Sequence, residues 1–300
     1  MQHEILKQIE AQNARLLGEG IEAWVYELSD VHVVRIYKST VVLEHIQNLK
    51  QFYDSLDTSA VSFAIPQIDS INKYNDTVYT IERQLKGKSL REQLVSGNAE
   101  SLLKKYLQVA EKKIALLHTP YDYFGEVLSS QPLRSSSWPD FLQAKTQRAF
   151  QTAAALFKTD VPGIEQILHF IASESALVAN VTHAKLVHGD FNASNVLSDS
   201  GDITALTDFG DLTLAGDPRM DIASGIIGFM EKEDGMRRSD GEFLLAYLRA
   251  KYGTTIQPVI HLYRMYYAVC FASYCKESDP RTYAWCLRTF AEHLTGQYDY

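Results

Sequence analysis

The sequence predicts an α+β protein of two unequal lobes, a small antiparallel sheet over residues 1–84 and a mainly helical lobe over 85–300. Three observations predict it. Short β-prone runs separated by turn formers occupy the chain before Arg83. Beyond that point apolar residues recur at three- and four-residue spacing. At 300 residues the chain is long for one core and comfortable for two.

The elements follow in order. MQHEILKQIEAQNARLL is a polar helical pattern without the apolar core of a signal peptide. Gly18–Val25 carries glycines at 18 and 20 and suits a tight turn between strands. Val31–Tyr37 reads as a strand, and Val42, Ile46, Leu49, Tyr53 and Leu56 then form one helical apolar stripe. Ile65–Ile71 and Thr77–Glu82 are further strands, joined by a turn at Asn75-Asp76. Gly87-Lys88-Ser89 imitates the end of a phosphate-binding Walker loop, but the glycine required five residues earlier is Glu82. Ser89 and Glu92 instead satisfy a helix capping box. Leu103, Leu107, Ala110, Ile114 and Leu117 mark a buried helix, and His118 reads as a side chain capping its end. Trp138–Phe157, Ile164–Val181 and most of the chain after Asp221 are helical in pattern.

Composition excludes several classes. A net charge of −8, from 29 basic and 37 acidic residues, supplies no basic footprint for nucleic acid. No apolar run approaches a membrane span, since Arg264 and several tyrosines interrupt the best candidate near Met265–Ala272. Cys270, Cys275 and Cys286 are odd in number and lack metal-ligand spacing, so reduced thiols in a cytoplasmic protein are expected.

The chemistry-bearing stretch runs from Leu186 to Asp221. It sets Asp190, then Asn195 five residues on, then Asp208 in Asp208-Phe209-Gly210. Val196–Ser198 and Ile203–Thr207 are β-prone and flank Asp199-Ser200-Gly201-Asp202, a group of turn formers, which predicts a hairpin. Asn195 enters that hairpin and Asp208 leaves it, so two hard oxygen ligands meet at one edge with Asp190 within reach. Such ligands suit Mg²⁺, which keeps water and phosphate oxygens in its other positions. One carboxylate to receive a hydroxyl proton and two groups to hold the metal are what phosphoryl transfer requires. Taken singly, each residue is equally an ordinary loop or turn residue.

His188-Gly189-Asp190 with Asn195-Val196-Leu197, Asp208-Phe209-Gly210, and Gly216-Asp217-Pro218 with Asp221-Ile222-Ala223 resemble the signature segments of the aminoglycoside phosphotransferase family. The texture is close to hygromycin-type antibiotic kinases, and choline, homoserine and fructosamine kinases share the same core. The resemblance implies a two-lobed protein-kinase-like fold and transfer of a phosphoryl group from ATP or GTP, with Mg²⁺, to a small-molecule hydroxyl. It implies Asp190 as the proton-accepting residue and Asn195 and Asp208 as metal ligands. In its light Gly18 and Gly20 bring backbone N–H groups to the phosphates and Val25 covers the adenine. The family often has arginine in strings like Val33-Val34-Arg35-Ile36-Tyr37, which makes Arg35 the candidate for pairing the phosphates. Lys38 competes, turned to the opposite strand face. Glu44 either pairs with Arg35 or is a solvated helix residue, and Glu82–Leu85 would be the hinge that contacts the purine. His188 is expected to fix the loop by hydrogen bonds, and Asp217 and Asp221 to be structural.

Two departures bear on the acceptor. Protein serine/threonine kinases usually place lysine two residues after the catalytic aspartate, and here Asn192 stands there. Gly216-Asp217-Pro218 follows Gly210 too closely for a long activation segment. A small molecule is favoured, most of all an aminoglycoside or related antibiotic. The alternatives are a metabolic kinase of the choline, homoserine or fructosamine type, an atypical protein kinase, and a nucleotide-binding scaffold without activity. From Asp217 to Tyr300 eleven acidic residues face ten basic ones, so overall charge does not single out a cationic acceptor. Glu231–Asp234 forms either a local acidic rim or a plain exposed loop. Trp138, Trp285 and the tyrosines are packing residues, some of which can line an acceptor pocket.

Overall fold

A computed structural model describes the chain except residues 21, 39, 40, 42, 95–99, 232–235 and 298–300. Ile21 of the glycine turn, Val42 of the apolar stripe and Lys232–Asp234 of the acidic segment therefore lie outside the described residues.

The first lobe is a five-stranded antiparallel sheet in the order β1-β2-β3-β5-β4. Helix α1 (Gln2–Gln8) precedes it and is shorter than the polar pattern suggests. Glu10 adopts φ 57° and the Ala11 N–H returns to the Leu6 carbonyl at 2.7 Å, a left-handed stop to the helix. Leu16 and Leu17 then belong to β1 (Leu16–Glu19), which pairs with β2 (Ala23–Glu27). Strand β3 (His32–Tyr37) alternates faces. Val34 and Ile36 pack with Ile5, Leu6 and Tyr79 under α1, while Arg35 and Tyr37 turn toward the other lobe. Helix α2 (Leu43–Ser55) buries Ile46, Phe52 and Tyr53.

Strand β4 (Ile68–Tyr74) starts later than its apolar run, because the chain before Pro66 is taken by another partner. Ala64 donates to the Thr204 carbonyl at 2.8 Å and accepts from Leu206 at 3.0 Å, both in the second lobe. Strand β5 (Thr77–Arg83) completes the sheet through a turn with Asn75 at φ 51°.

The second lobe opens with β6 (Lys88–Ser89), α3 (Leu90–Leu94) and α4 (Glu100–Gln108). The capping box forms, with the Glu92 N–H on Ser89 Oγ at 3.3 Å. A π-helical turn at Val109–Lys113 and a 3₁₀ turn at Ile114–Leu116 extend α4. His118 does not cap them; its Nδ1 lies 2.6 Å from the Thr119 carbonyl and its ring stacks on Tyr121 at 4.3 Å.

After β7 (Phe124–Glu126) and β8 (Arg134–Ser135) come α5 (Trp138–Thr152), α6 (Ala154–Asp160) and α7 (Ile164–Glu174). Strands β9 (Lys185–Val187), β10 (Val196–Asp199), β11 (Asp202–Leu206) and β12 (Leu214–Gly216) carry the signature stretch. They form two small sheets, ordered β11-β10-β6 and β8-β7-β12-β9.

Helices α8 (Arg219–Met230), α9 (Arg238–Tyr252), α10 (Ile256–Ala272), α11 (Cys275–Ser278) and α12 (Pro280–Thr295) complete the lobe. Helix α10 is buried nearly all round, and its Arg264 survives there by pairing with Glu231 and, at 2.9 Å, Glu292. Among the described residues no helix is long and apolar enough to cross a membrane.

Candidate active site

The predicted hairpin is present, with β10 and β11 paired antiparallel. Ser200 at φ 51° and Gly201 at φ 82° make its two-residue turn, both left-handed as strand twist requires. At the open end the Thr207 N–H donates to the Asn195 carbonyl at 2.8 Å, so the residues before β10 and after β11 sit side by side. Asn195 is buried, and its amide donates to the Asp190 carboxylate at 3.0 Å and to the Asp190 carbonyl at 2.9 Å. Asp208 follows Thr207 at φ 60°, in the left-handed region that aspartate enters more readily than most L residues.

Asp190 stands on a tightly held loop. The Asp221 carboxylate, fully buried, accepts the N–H groups of His188 and Gly189 at 2.9 Å each. Tyr267 donates its hydroxyl to the Gly189 carbonyl at 2.8 Å. Gly189 itself has φ 81°, and a Cβ there would lie 1.7 Å from the Leu212 carbonyl oxygen. His188 is buried between two anchors. Its Nε2 donates to the Thr207 carbonyl at 2.7 Å, while its Nδ1 accepts the Asp190 N–H at 3.2 Å. Burial lowers its pKa to about 4 against the smaller pull of that carbonyl and of Asp208, so the ring is neutral. Burial likewise raises Asp221 to about 7, opposed by its two N–H donors and aided by Asp190 and Asp217.

Between the lobes lies a cavity of about 450 Å³. Gly20, Ala23, Val25, Arg35, Ile68 and Glu82 line it from the sheet, Tyr53 from α2, and Asp190, Asp208 and Phe209 from the second lobe. Phe209 is wedged between the lobes, its ring 5.5 Å from Phe52, 6.2 Å from Tyr53 and 4.4 Å from His188. Arg35 pairs with Glu82 at 3.1 Å, and Thr80 holds the same carboxylate at 2.6 Å. Burial works to lower the Arg35 pKa, but Glu82, Tyr37 and Asp208 outweigh it and raise it, so its charge is secure.

Not every expected residue arrives. Glu44 is exposed on α2 and does not meet Arg35; buried Glu82 on β5 takes that place. Glu82 is thus a strand residue occupied with the arginine, and Leu85, half-buried beyond the strand, does not line the cavity. Gly18 is exposed within β1 and also lies outside the cavity wall. Lys38 reaches Glu19 at 3.1 Å and the Gly20 carbonyl at 2.8 Å, with its ammonium over the Trp24 ring, so it fastens the glycine turn.

The sequence profile of the phosphotransferase enzyme family matches residues 13–259. The chain belongs to that family. No curated protein compared by sequence matches this phosphotransferase. Among solved structures it is similar to a thermostable mutant of aminoglycoside phosphotransferase APH(4)-Ia in apo form, at 18% identity over 100% of each chain with a TM-score of 0.73. A ternary complex of the same enzyme with AMP-PNP and hygromycin B gives 18% identity, 96% and 95% coverage and 0.73. ADP-bound APH(2'')-Ib gives 20% identity, 97% of each chain and 0.66. At such identities the likeness establishes the fold, the two-lobed kinase-like architecture described above.

The phosphotransferase's donor set also fits a divalent cation. With its amide turned to Asp190, Asn195 has its carbonyl oxygen left as ligand, and Asp208 offers a carboxylate at the same edge. Among the described residues no group of three or more His, Cys, Asp or Glu forms a self-contained metal cage. Two protein oxygen ligands would leave the other positions of a Mg²⁺ ion to phosphate and water. Asn192 escaped the sequence reading as more than a departure. Its amide donates to Asp190 Oδ1 at 3.1 Å and its Oδ1 accepts the Ser194 N–H at 2.9 Å. The Asn192-Ala193-Ser194-Asn195 pattern is the signal of such an Asx turn.

Proposed function

We propose that the protein transfers the γ-phosphoryl group of ATP or GTP to a hydroxyl of a small molecule, with an aminoglycoside or related antibiotic as the leading acceptor. The observation that carries the reading is the convergence of Asp190, Asn195 and Asp208 at the open end of one hairpin, with Asp190 and Asp208 lining a cavity roofed by the glycine turn. The bound nucleotides and aminoglycosides of the similar structures support it: AMP-PNP with hygromycin B in one and gentamicin in another.

In this proposal residues 1–84 hold the nucleotide and 85–300 supply the chemistry and the acceptor site. Gly20 and Val25 cover the nucleotide, and Arg35, braced by Glu82, neutralises phosphate oxygens. Asn195 and Asp208 would hold Mg²⁺, which when bound would supply charge neutralisation to the phosphates. Asp190, oriented by the amides of Asn192 and Asn195, positions the acceptor hydroxyl and takes its proton as the new bond to phosphorus forms. His188 is neutral and buried, and holds the loop. Positioning and electrostatics do most of the work. Three free, buried cysteines suit a cytoplasmic setting.

The near balance of charge after Asp217 favours a second reading, a metabolic sugar or amino-alcohol kinase. An ATPase-coupled screen over aminoglycosides, macrolides, choline, homoserine and ketosamines separates the two. Asp190→Ala should abolish turnover with nucleotide affinity retained, and unimpaired turnover in that variant would remove the assigned base.

A further inference from the structure

Helix α2 meets the metal-binding segment at two places. Toward its C-terminal end Phe52 and Tyr53 set their rings 5.5 and 6.2 Å from that of Phe209. Toward its N-terminal end His45 lines the same cavity, and its Nδ1 stands 3.8 Å from Asp211 Oδ1. His45 and Tyr53 lie a little over two turns apart, about 12 Å along the helix axis. The two contacts therefore brace α2 against the chain after Asp208 at both of the helix's ends.

Local structure puts Asp211 where His45 can meet it. The Thr213 N–H donates to the Gly210 carbonyl at 2.8 Å, and the Gly210 N–H donates to Thr213 Oγ1 at 3.1 Å. These bonds close a turn with Asp211 and Leu212 at its tip. Asp211 is three residues past Asp208 and moves with it. On the sheet side the neighbouring cations are engaged, Arg35 with Glu82 and Lys38 with Glu19, each at 3.1 Å. His45 is half-buried and meets a carboxylate that is largely exposed.

The two fastenings differ in kind. Ring packing is non-directional and lets α2 pivot on Phe209. A hydrogen bond between imidazole and carboxylate is directional, and at 3.8 Å the pair stands just outside its reach. An approach of the lobes by about 1 Å completes it.

We infer that His45 is a positioning residue for the metal-binding turn: with Asp211 it forms a latch across the cleft that fixes α2 and holds Asp208 in place for the cation. The inference rests on the phosphoryl-transfer reading for the role of Asp208.

Calorimetric titration of the full chain with AMP-PNP, in Mg²⁺ and again in EDTA, tests this without turnover. In Mg²⁺ the affinity should fall about three- to fivefold in His45→Ala and by the same factor in Asp211→Ala. The double variant should lose no more than either single one, because each removes the same contact. In EDTA all four proteins should bind alike, since nothing then depends on where Asp208 stands. His45→Asn keeps an N–H donor in place of Nδ1 and should retain most of the wild-type affinity. Melting temperatures should stay within about 2 °C of the wild type, both side chains being partly solvated. Additive losses, unchanged affinity in His45→Ala, or an asparagine variant as weak as the alanine one overturns the latch. So does a loss of equal size in EDTA, which would mark His45 as a direct phosphate contact. Wild-type affinity that is independent of Mg²⁺ overturns the phosphoryl-transfer reading and the latch together, so the two failures are told apart.

Discussion

Replacing Asp221 with asparagine separates two opposing physical effects at the floor of the catalytic loop. The wild-type carboxylate is fully buried and accepts two backbone N–H groups at 2.9 Å each. Asparagine keeps the shape but offers one oxygen and one NH₂. One N–H therefore loses its acceptor and faces a donor, at a cost of about 2–3 kcal/mol. In the other direction, burial moves this carboxyl from the ordinary 3.8 to about 7. At about 1.4 kcal/mol per tenfold change in ionisation, that displacement is worth about 4 kcal/mol above pH 7. Because the folded pKa lies above the unfolded one, the folded state holds the proton more tightly. This contribution is therefore fully present below 3.8 and is lost as pH rises through about 7. Between pH 5 and pH 7.5 the wild type should lose about 2.5 kcal/mol relative to Asp221→Asn, whose amide does not titrate. Urea unfolding of both proteins at the two pH values measures the difference, in which every other titrating group cancels to first order. A stability gap that is the same at both pH values would refute the reasoning and show that the two N–H bonds keep the carboxylate ionised throughout. Turnover should fall in the variant at either pH, because the His188 and Gly189 N–H groups that hold the loop ahead of Asp190 lose part of their anchor.

Four further outcomes are expected. Gly189→Ala should cost more than about 3 kcal/mol, since its Cβ would meet the Leu212 carbonyl and its φ is left-handed; thermal unfolding measures this. Gly20→Ala should leave stability within about 0.5 kcal/mol, because only the Ala23 carbonyl at 3.9 Å approaches that Cβ, yet it should raise the nucleotide KM in steady-state assays. Arg35→Ala should destabilise the sheet by up to about 3 kcal/mol by leaving Glu82 buried without its cation, and the loss should shrink in the Arg35→Ala/Glu82→Gln double variant. His188 should add no titration to the rate between pH 5.5 and 8. Its neutral form stabilises the fold above the ordinary 6.5, and that stability should drain as pH falls toward about 4, an effect absent in His188→Gln.

The signature stretch was legible because hairpin chemistry is local: β-prone runs on either side of Asp199–Asp202 fix which residues meet at its open end. The strands of the first lobe were legible for the same reason, and so was the Ser89–Glu92 cap. The partner of Arg35 was not. Glu82 comes from a strand forty-seven residues away, and only the pairing of β3 with β5 brings it across; sequence spacing cannot report that. The early end of α1 turned on Glu10 entering the left-handed region, which polar periodicity does not reveal. Asn192 was visible as a departure, while its grip on Asp190 needed the fold of the loop.

Phe209 neighbours Asp208 in the chain and is clasped by Phe52 and Tyr53 of α2 on one side and His188 on the other. A rotation of the sheet lobe away from the helical lobe therefore tugs the very residue assigned to hold the cation. On the roles proposed above, opening the cleft to exchange nucleotide would also loosen the grip of Asp208 on the cation, and the packing of Phe209 against these three rings would set how readily both happen.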